Sequence, residues 1–437
     1  MKFMESVKDK AIMAKEAFIK LSNAKTKDKN DALLLMAKAL DNNRKKILEA
    51  NNKDIVEAKK LLQKGELTES LVKRLEVTNS KIDEMITGIK DVAKLEDPVG
   101  KTLSAIELDS GLELYQVATP IGVIGMVFES RPDVVPQIIS LALKSGNGVL
   151  LKGGREAANT NRAIYEVLTG SIKNKSIPKE AFQLLERRED VTEMLKLDKY
   201  IDLIIPRGSN DFVRFVQSNT KIPVLGHADG ICHAYVDKKY DEKKALDVCF
   251  DAKVQYPAVC NAIETLLVHE KSAKKFLPKI AKMYKEAGVE IRCCPQSFEI
   301  LKDFKVKKAK EKDWSTEYND LIISIKVVTS LEDAVEHINK YGSHHTDVIL
   351  TEDKKAGEYF LNFVDSSSVM LNASTRFADG FRYGKGAEIG ISTGKIHARG
   401  PTGMEGMLIY KYKLIGSGHK VADYVGKNAK PFTHRKL

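Results

Sequence analysis

A single cysteine stands where a polar stretch of the chain passes into an apolar one. In DAKVQYPAVCNAIETLLVH, residues 251–269, Cys260 follows Pro257 and precedes Asn261, and the alternation from residue 265 to 268 predicts a strand. A thiolate nucleophile is expected at the end of an element and partly exposed, whereas most single cysteines are small buried core residues. Taken alone, the segment favours the core role, and the rest of the chain must decide.

The remaining cysteines show no paired ligand spacing. Cys232, Cys249, Cys293 and Cys294 form no C-x-x-C pair, and the odd total of 5 favours free thiols in a reducing compartment. Cys293 and Cys294 are adjacent in the chain, but no pair of Cys or His ligands lies near them in the sequence, so we expect no metal site.

Two predicted strand ends in the first half carry groups suited to a ribose or a phosphate. Lys152 follows the apolar run GVLL, and Arg207, Gly208 and Ser209 lie between the strand IDLIIP and a helix. Free backbone N–H groups at a helix N-terminus favour an anion. A surface lysine and an ordinary capping turn are the alternatives. Matching positions on neighbouring strands favour a nucleotide site, although no G-x-G-x-x-G follows a strand.

A glycine-rich segment near the end of the chain, residues 377–408, carries two further candidates for anion contacts. These are His397 and Arg399, in GKIHARGPTG. Many glycines favour loops that approach a ligand closely, and a long solvated connection is the alternative.

Apolar strands alternate with amphipathic helices on both sides of Cys260. One set runs from residue 119 to 236 and ends with strands around IPVLGH and ICHAYVD, and a second set begins at ETLLVH. Short strands separated by helices require crossovers, so the pattern predicts two doubly wound α/β domains. A helical layer over residues 1–95 precedes them.

The segment TLSAIELDSGLELYQVA, residues 102–118, predicts a two-stranded ribbon with its turn at Asp109-Ser110-Gly111. Such a ribbon is marginal alone. It is either an arm used in oligomerisation or a ribbon packed within its own monomer.

Composition excludes several classes of protein. The chain has 437 residues and a net charge of +11, but its lysines alternate with acids, so we expect no nucleic-acid partner and a surface that steers small anions. No run approaches the ~20 apolar residues of a membrane span, and the N-terminus lacks an export pattern. We therefore expect a cytosolic protein without membrane contact.

Five segments together resemble the gamma-glutamyl phosphate reductase family of the aldehyde dehydrogenase superfamily. They are GVIGMVFESRPDVV, LGHADGICHAYVD, DAKVQYPAVCNAIETLLVH, VDSSSVMLNASTRFADG and GAEIGISTGKIHARGPTGMEG. The resemblance implies an α/β, aldehyde dehydrogenase-like fold with two doubly wound α/β domains plus a small β oligomerisation arm. The implied parts are a NADP-binding domain of residues 1–101 and 119–228, a catalytic domain of residues 229–385, and an arm of residues 102–118 with 400–437.

The resemblance also assigns roles to single residues. It implies that Cys260 is the catalytic thiol, that Lys152 contacts the adenosine ribose and that Gly208 and Ser209 lie beside the pyrophosphate, with Arg207 adding charge. Glu317, in TEYND, falls where the superfamily has a glutamate on the nicotinamide ribose.

The chain departs from the superfamily pattern at two positions. ESRP stands where aldehyde dehydrogenases have an oxyanion asparagine, so Arg131 or a neighbour would act there, beside the Cys260 N–H and the Asn261 side chain. LGHADG lacks the glutamate that serves as general base, which suits a reaction that activates no water.

The implied reaction is NADPH-dependent reduction of L-glutamyl 5-phosphate through a Cys260 thioester, with His397 and Arg399 on the phosphate or the α-carboxylate. A homo-oligomer, dimer or tetramer, and functional coupling to glutamate 5-kinase are also expected. The alternatives are an aldehyde dehydrogenase acting on an acyl-CoA and, from another class, a basic RNA-binding or scaffold protein.

Overall fold

The computed structural model describes residues 5–437, except for the side chain of residue 70, and the chain falls into two units. The described part of the first unit comprises residues 5–208, Phe212–Leu225 and Gly403–Leu437, and the second comprises Ser209–Asp211 and Gly226–Thr402. The predicted helix at the N-terminus begins at Val7, and residues 1–4 lie outside the described part.

Helices and strands alternate along most of the chain. The helices are α1 (Val7–Leu21), α2 (Thr26–Asn42), α3 (Arg44–Gln63), α4 (Glu69–Leu75), α5 (Asn79–Lys94), α6 (Val134–Ser145), α7 (Ala158–Gly170), α8 (Asp190–Met194), α9 (Asn210–Ser218), α10 (Glu242–Val254), α11 (Glu270–Glu286), α12 (Pro295–Ile300), α13 (Leu331–Tyr341) and α14 (Lys354–Phe363). The strands are β1 (Thr102–Asp109), β2 (Leu112–Pro120), β3 (Val123–Phe128), β4 (Gly148–Gly153), β5 (Phe182–Leu185), β6 (Leu203–Arg207), β7 (Cys232–Val236), β8 (Ile263–His269), β9 (Glu290–Cys293), β10 (Lys307–Lys308), β11 (Ile322–Val328), β12 (Thr346–Leu350), β13 (Ser368–Leu371), β14 (Gly390–Ser392), β15 (Gly400–Thr402), β16 (Leu408–Ile415) and β17 (Arg435–Lys436).

The predicted helical layer of residues 1–95 is confirmed as α1 to α5. α5 shows why the sequence forms it, since Ile82, Met85, Ile86 and Ile89 follow the i, i+3, i+4, i+7 spacing and are buried on one face.

A parallel sheet of order β5-β4-β3-β6 forms the centre of the first unit. β3 and β4 are buried over their whole length, as continuous apolar runs in a parallel sheet should be. The register pairs Phe128 with both Gly153 and Arg207, so the carboxyl ends of three strands meet at one edge.

The second unit is built on a larger parallel sheet, of order β10-β9-β11-β8-β7-β12-β13. β8 is buried from end to end and lies between β7 and β11. Two predicted strands are corrected here. ICHAYVD forms β7 of this sheet instead of closing the first set, and IPVLGH makes only an isolated bridge between Val224 and Ile204. An apolar strand pattern does not specify which sheet a strand joins.

The predicted ribbon of residues 102–118 is present as β1 and β2. It is the middle of an antiparallel sheet of order β16-β2-β1-β17, so two strands from the end of the chain pair with it. Its use as an oligomerisation arm and the predicted domain boundaries stay predictions. Among the helices of the described residues, none combines the length and apolar content that crossing a bilayer requires.

Candidate active site

Cys260 lies in the turn between α10 and β8, in the second unit, and is half-buried. The N–H of Ala262 donates to the carbonyl of Val259 at 3.0 Å and closes the turn. The backbone of Gly230 approaches so closely that a Cβ there would overlap Cα and the carbonyl oxygen of Cys260. The thiol therefore has the partly exposed placement at an element end that a reactive cysteine requires.

A buried ion pair joins the two ends of the segment that carries Cys260. Nζ of Lys253, in the last turn of α10, lies 2.6 Å from Oε2 of Glu264 in β8, and the side chains are 0% and 1% exposed. Burial raises the pKa of Glu264 to about 7 even though Lys253 opposes that shift, and burial lowers the pKa of Lys253. The N–H of Asn319 donates to the other oxygen of Glu264 at 3.3 Å.

Asn261 anchors the turn to the segment that follows β13. Its side-chain Nδ2 donates to the carbonyl of Ala378 at 2.9 Å, and its backbone carbonyl accepts from Oγ1 of Thr375 at 2.6 Å. Its Oδ1 is buried without a hydrogen-bond partner in the described part of the chain. One amide N–H is thus engaged, and the oxyanion role of this side chain stays a prediction.

Arg376, on the same segment after β13, is a buried cation whose pKa responds to the charge of a Cys260 thiolate, and the sequence did not predict it. Its side chain is buried, and Nε donates to Oε1 of Gln255 at 3.0 Å. Burial lowers the pKa of Arg376, neighbouring Arg382 lowers it further, and the negative charge of a Cys260 thiolate opposes both effects. The residue lies in the motif VDSSSVMLNASTRFADG, but nothing local in the sequence connects it with a cysteine more than a hundred positions earlier.

Two histidines also stand beside the thiol, and neither was predicted. One ring nitrogen of His227, one ring nitrogen of His345 and Sγ of Cys260 all lie within 4.8 Å of one another. Nothing in the motif LGHADG itself marks His227 as a neighbour of the thiol.

Arg399 and His397 lie on the segment between β14 and β15, in the second unit. Arg399 is held by Asp365, with Nη1 to Oδ1 at 3.0 Å and Nη2 to the carbonyl at 3.1 Å. Hydrogen bonds from Lys395 and Arg399 lower the pKa of Asp365. His397 is exposed. Arg399 would have to exchange its carboxylate partner for a substrate anion, and both substrate contacts stay predictions.

A cavity of about 790 Å³ lies at the carboxyl ends of β3, β4 and β5 in the first unit, the edge where a ligand was predicted. Lys152 lines it, is 6% exposed, and donates from Nζ to the carbonyl of Gly153 at 2.5 Å. Burial lowers the pKa of Lys152. The other lining residues are mixed in charge and include Glu129, Ser130, Arg155, Glu156, Glu186, Arg187, Arg188, Glu189 and Phe212.

The backbone of the predicted anion-binding turn after β6 lies close to Glu129, the residue that follows β3. The Glu129 N–H donates to the carbonyl of Arg207 at 3.1 Å, and Nη1 of Arg207 donates to Oε1 of Gln137 at 3.3 Å. A Cβ at Gly208 would lie 2.7 Å from Oε2 of Glu129, so a larger residue would displace that carboxylate.

Ser209 precedes α9 and belongs to the second unit, as do Asn210 and Glu317. Nδ2 of Asn210 donates to Oε2 of Glu317 at 2.7 Å and approaches Oδ1 of Asp229 at 3.2 Å. The structure thus joins two segments that were predicted separately to contact the cofactor, and the cofactor roles of Ser209 and Glu317 stay predictions.

Arg131 is exposed in the first unit. Ser130 before it has a φ of 46°, in the left-handed region that few residues other than glycine adopt. Its N–H and its hydroxyl both donate to Oε1 of Glu156, at 2.8 and 2.7 Å, which fixes the conformation. Cys260 is in the other unit, so an oxyanion role for Arg131 stays a prediction.

The two parallel sheets, with a cysteine in the turn before β8, are consistent with one family of enzymes. A family model described as the aldehyde dehydrogenase family matches residues 4–293. A glyceraldehyde-3-phosphate dehydrogenase GapN from Methanocaldococcus jannaschii, crystallised with NADP, shares the fold at a TM-score of 0.64 and 16% identity, over 95% of this chain and 96% of its own. The chain belongs to the aldehyde dehydrogenase family.

Within that family the chain groups with the gamma-glutamyl phosphate reductases. The enzyme of that name from Methanococcoides burtonii is 61% identical over 435 residues, which are 99% of this chain and 97% of the relative. The crystal structure of the enzyme from Thermotoga maritima has a TM-score of 0.92 and 44% identity, over 95% of this chain and all of that one. The resemblance and the predicted α/β, aldehyde dehydrogenase-like fold are confirmed, and the oligomerisation role of the β arm stays a prediction.

Proposed function

We propose that this chain reduces L-glutamyl 5-phosphate to L-glutamate 5-semialdehyde and phosphate with NADPH, the second step of proline biosynthesis from glutamate. The names of the relatives support the substrate. The observation that carries the chemistry is the half-buried Cys260 in the turn between α10 and β8, whose two ends are joined by the buried Lys253–Glu264 pair.

The reaction begins when the Cys260 thiolate attacks the acyl carbon. The C–S bond forms, the bond from carbon to the phosphate oxygen breaks, and inorganic phosphate departs with that electron pair, leaving a thioester. Phosphate is a good leaving group, so the site needs positive charge more than a strong acid. The buried guanidinium of Arg376 supplies such a charge.

NADPH, when bound, would supply a hydride. The thioester carbon that accepts it becomes a thiohemiacetal alkoxide, which forms the aldehyde C=O bond as the C–S bond breaks, and the Cys260 thiolate leaves with that electron pair, ready for the next cycle. The negative oxygen formed in each step requires donors at about 3 Å, and each donor contributes about 3 kcal/mol to the lowering of the barrier. The Cys260 N–H, the Asn261 amide, Arg131 and now Arg376 are the groups we propose for that task.

The thioester is protected from hydrolysis by the composition of the loop that bears His227. LGHADG contains no glutamate to deprotonate a water. Without that base we expect acyl transfer to water to be slow, so that reduction empties the thioester.

The first-unit cavity suits the cofactor. About 790 Å³ falls within the size range of cofactor sites, and Lys152 places an ammonium at the carboxyl ends of the strands. Preference for NADPH over NADH would come from the basic side chains of the lining. Arg187 is engaged by Asp190, Nε to Oδ1 at 2.9 Å, while Arg155 and Arg188 occupy exposed positions and could meet a 2′-phosphate.

Association of the chain with further copies of itself is part of the proposal. β16 is an edge strand of the ribbon sheet, and Tyr410, Tyr412, Leu414 and Ile415 on it are exposed. Unpaired edge groups with apolar side chains favour pairing with another chain. The dimer or tetramer, the coupling to glutamate 5-kinase and the cytosolic location remain predictions within this proposal.

One assay tests the reaction. In the reverse direction, the purified chain given NADP and L-glutamate 5-semialdehyde should form NADPH continuously only when inorganic phosphate is present. Steady turnover with coenzyme A in place of phosphate would favour the acyl-CoA alternative and overturn the proposal.

A further inference from the structure

The two imidazoles beside Cys260 form a cluster that the proposed reaction does not use. The His227 and His345 rings meet edge-on with their centroids 4.9 Å apart, and all three side chains belong to the second unit. Their ligand atoms lie within 4.8 Å of one another. Local ligand spacing could not indicate this cluster, because its members are far apart in the chain.

Hydrogen bonds at one nitrogen of each ring leave the other nitrogen available. Nδ1 of His227 lies 2.8 Å from the carbonyl of Ile391, which can only accept, so Nδ1 carries the proton and Nε2 of a neutral ring keeps a lone pair. Nδ1 of His345 lies 2.8 Å from Oγ1 of Thr346. Histidines that bind metals almost always engage their second nitrogen in this way.

His345 provides a second, independent indication of a ligand. Its side chain is 0% exposed, and Nε2 is buried without a hydrogen-bond partner in the described part of the chain. A buried polar atom without a partner is rare in native proteins, since leaving it unpaired costs free energy. Cys232 lies at the other side of the ring, with Sγ 3.7 Å from Nδ1, and its thiol donates to the carbonyl of Cys260 at 3.1 Å.

We propose that His227, Cys260 and His345 bind a thiophilic divalent cation, Zn²⁺ foremost, which acts as a reversible inhibitor and not as a cofactor. Two imidazoles and one thiolate form a donor set that Zn²⁺ prefers. Bond lengths near 2.0 Å to nitrogen and 2.3 Å to sulfur place the ligand atoms of a tetrahedral site about 3.3 to 3.5 Å apart. Ligand atoms that lie up to 4.8 Å apart must therefore approach one another by at most about 1.5 Å, and the half-buried His227 and Cys260 side chains can turn to allow it.

Binding and catalysis exclude each other at the sulfur. The thiol releases its proton as the S–Zn bond forms, and the sulfur electron pair that would attack the acyl carbon is then donated to the metal. The fourth coordination position remains for water. Inhibition rests on the proposed role of Cys260 as the nucleophile, whereas metal binding does not.

The test is a Zn²⁺ titration of the full-length chain against a chromophoric chelator, together with the rate of Cys260 alkylation by iodoacetamide measured by peptide mass spectrometry. We expect one Zn²⁺ per chain, at least a tenfold slower alkylation of Cys260 at saturation, and full recovery when EDTA is added. His227→Gln and His345→Gln should each weaken Zn²⁺ binding at least about tenfold. His344→Gln, which changes the adjacent histidine, is the matched control and should bind like the wild type.

His227 is half-buried, so His227→Gln keeps the test decisive if the buried His345 variant fails to fold. Unchanged Zn²⁺ affinity in His227→Gln, or unchanged alkylation of Cys260 with Zn²⁺ bound, would overturn the proposal. Both readouts are independent of turnover, so they can succeed even where the proposed reaction fails.

Discussion

Lys253 and Glu264 form a fully buried ion pair, with Nζ 2.6 Å from Oε2, and the turn that bears Cys260 is the chain between them. A buried pair gives little net stability, because desolvation of both charges offsets their attraction. Removing one partner, however, leaves the other buried and uncompensated. We infer that this pair holds the two ends of the turn at a fixed separation and so positions the thiol.

Removing Lys253 alone should therefore lower the free energy of unfolding far more than removing both members of the pair. We expect Lys253→Met to lower the free energy of unfolding by about 3 to 5 kcal/mol at pH 8, and Lys253→Met/Glu264→Leu to recover most of that loss. Urea titration followed by circular dichroism measures both. Lys302→Ala, which breaks the exposed pair with Glu299, is the control and should change stability little. Equal losses in the single and double variants would contradict the argument.

The same pair makes stability depend on pH. Folding raises the pKa of Glu264 from 4.5 to about 7, so between these values the folded chain holds more protons than the unfolded chain. This contribution of Glu264 is complete below about pH 4.5 and is lost as the pH rises through 7. The urea midpoint of the wild type should thus fall relative to that of Glu264→Gln between pH 5 and 8. Parallel profiles would show that Glu264 keeps its ordinary pKa.

Arg376 should matter through its charge on the thiol. Arg376→Met should slow the alkylation of Cys260 by iodoacetamide at pH 7 and lower kcat by about 10²- to 10³-fold if the guanidinium also stabilises the developing negative charge. Arg376→Lys keeps the charge but loses the bond from Nε to Gln255, and it should retain faster alkylation than the methionine variant. Alkylation at the wild-type rate in Arg376→Met would exclude an electrostatic role.

The arginines among the lining residues of the first-unit cavity should decide between the two nicotinamide cofactors. Arg188→Ala should raise KM for NADPH about 10- to 100-fold, because a charge-assisted bond to the 2′-phosphate is lost, and leave KM for NADH nearly unchanged. Arg44→Ala is the control, since Arg44 pairs with Asp41 and Asp83 and none of the three lines the cavity. An equal rise for both cofactors in Arg188→Ala would exclude selectivity through that side chain.

The sequence specified the parallel sheets well because their strands are continuous apolar runs, and Lys152 and Arg207 fall at the predicted strand ends. The chain could not show which sheet receives Cys232–Val236, because strand order is set by long-range pairing. It also could not show that Arg376, His227 and His345 stand near Cys260 or act on it. His227, Cys260 and His345 lie just before the neighbouring strands β7, β8 and β12, and Arg376 follows β13, so it is the pairing of these strands that brings their segments together, which a local sequence pattern does not indicate.

The most direct test of the account is a single-turnover experiment in the reverse direction without phosphate. Wild-type chain mixed with NADP and L-glutamate 5-semialdehyde should form about one NADPH per Cys260 and then stop, with a glutamyl group on the Cys260 peptide that inorganic phosphate removes. Cys260→Ser should give neither the burst nor the adduct. Continued NADPH formation without phosphate, or a burst that survives in Cys260→Ser, would contradict a thioester on Cys260 that is closed to water.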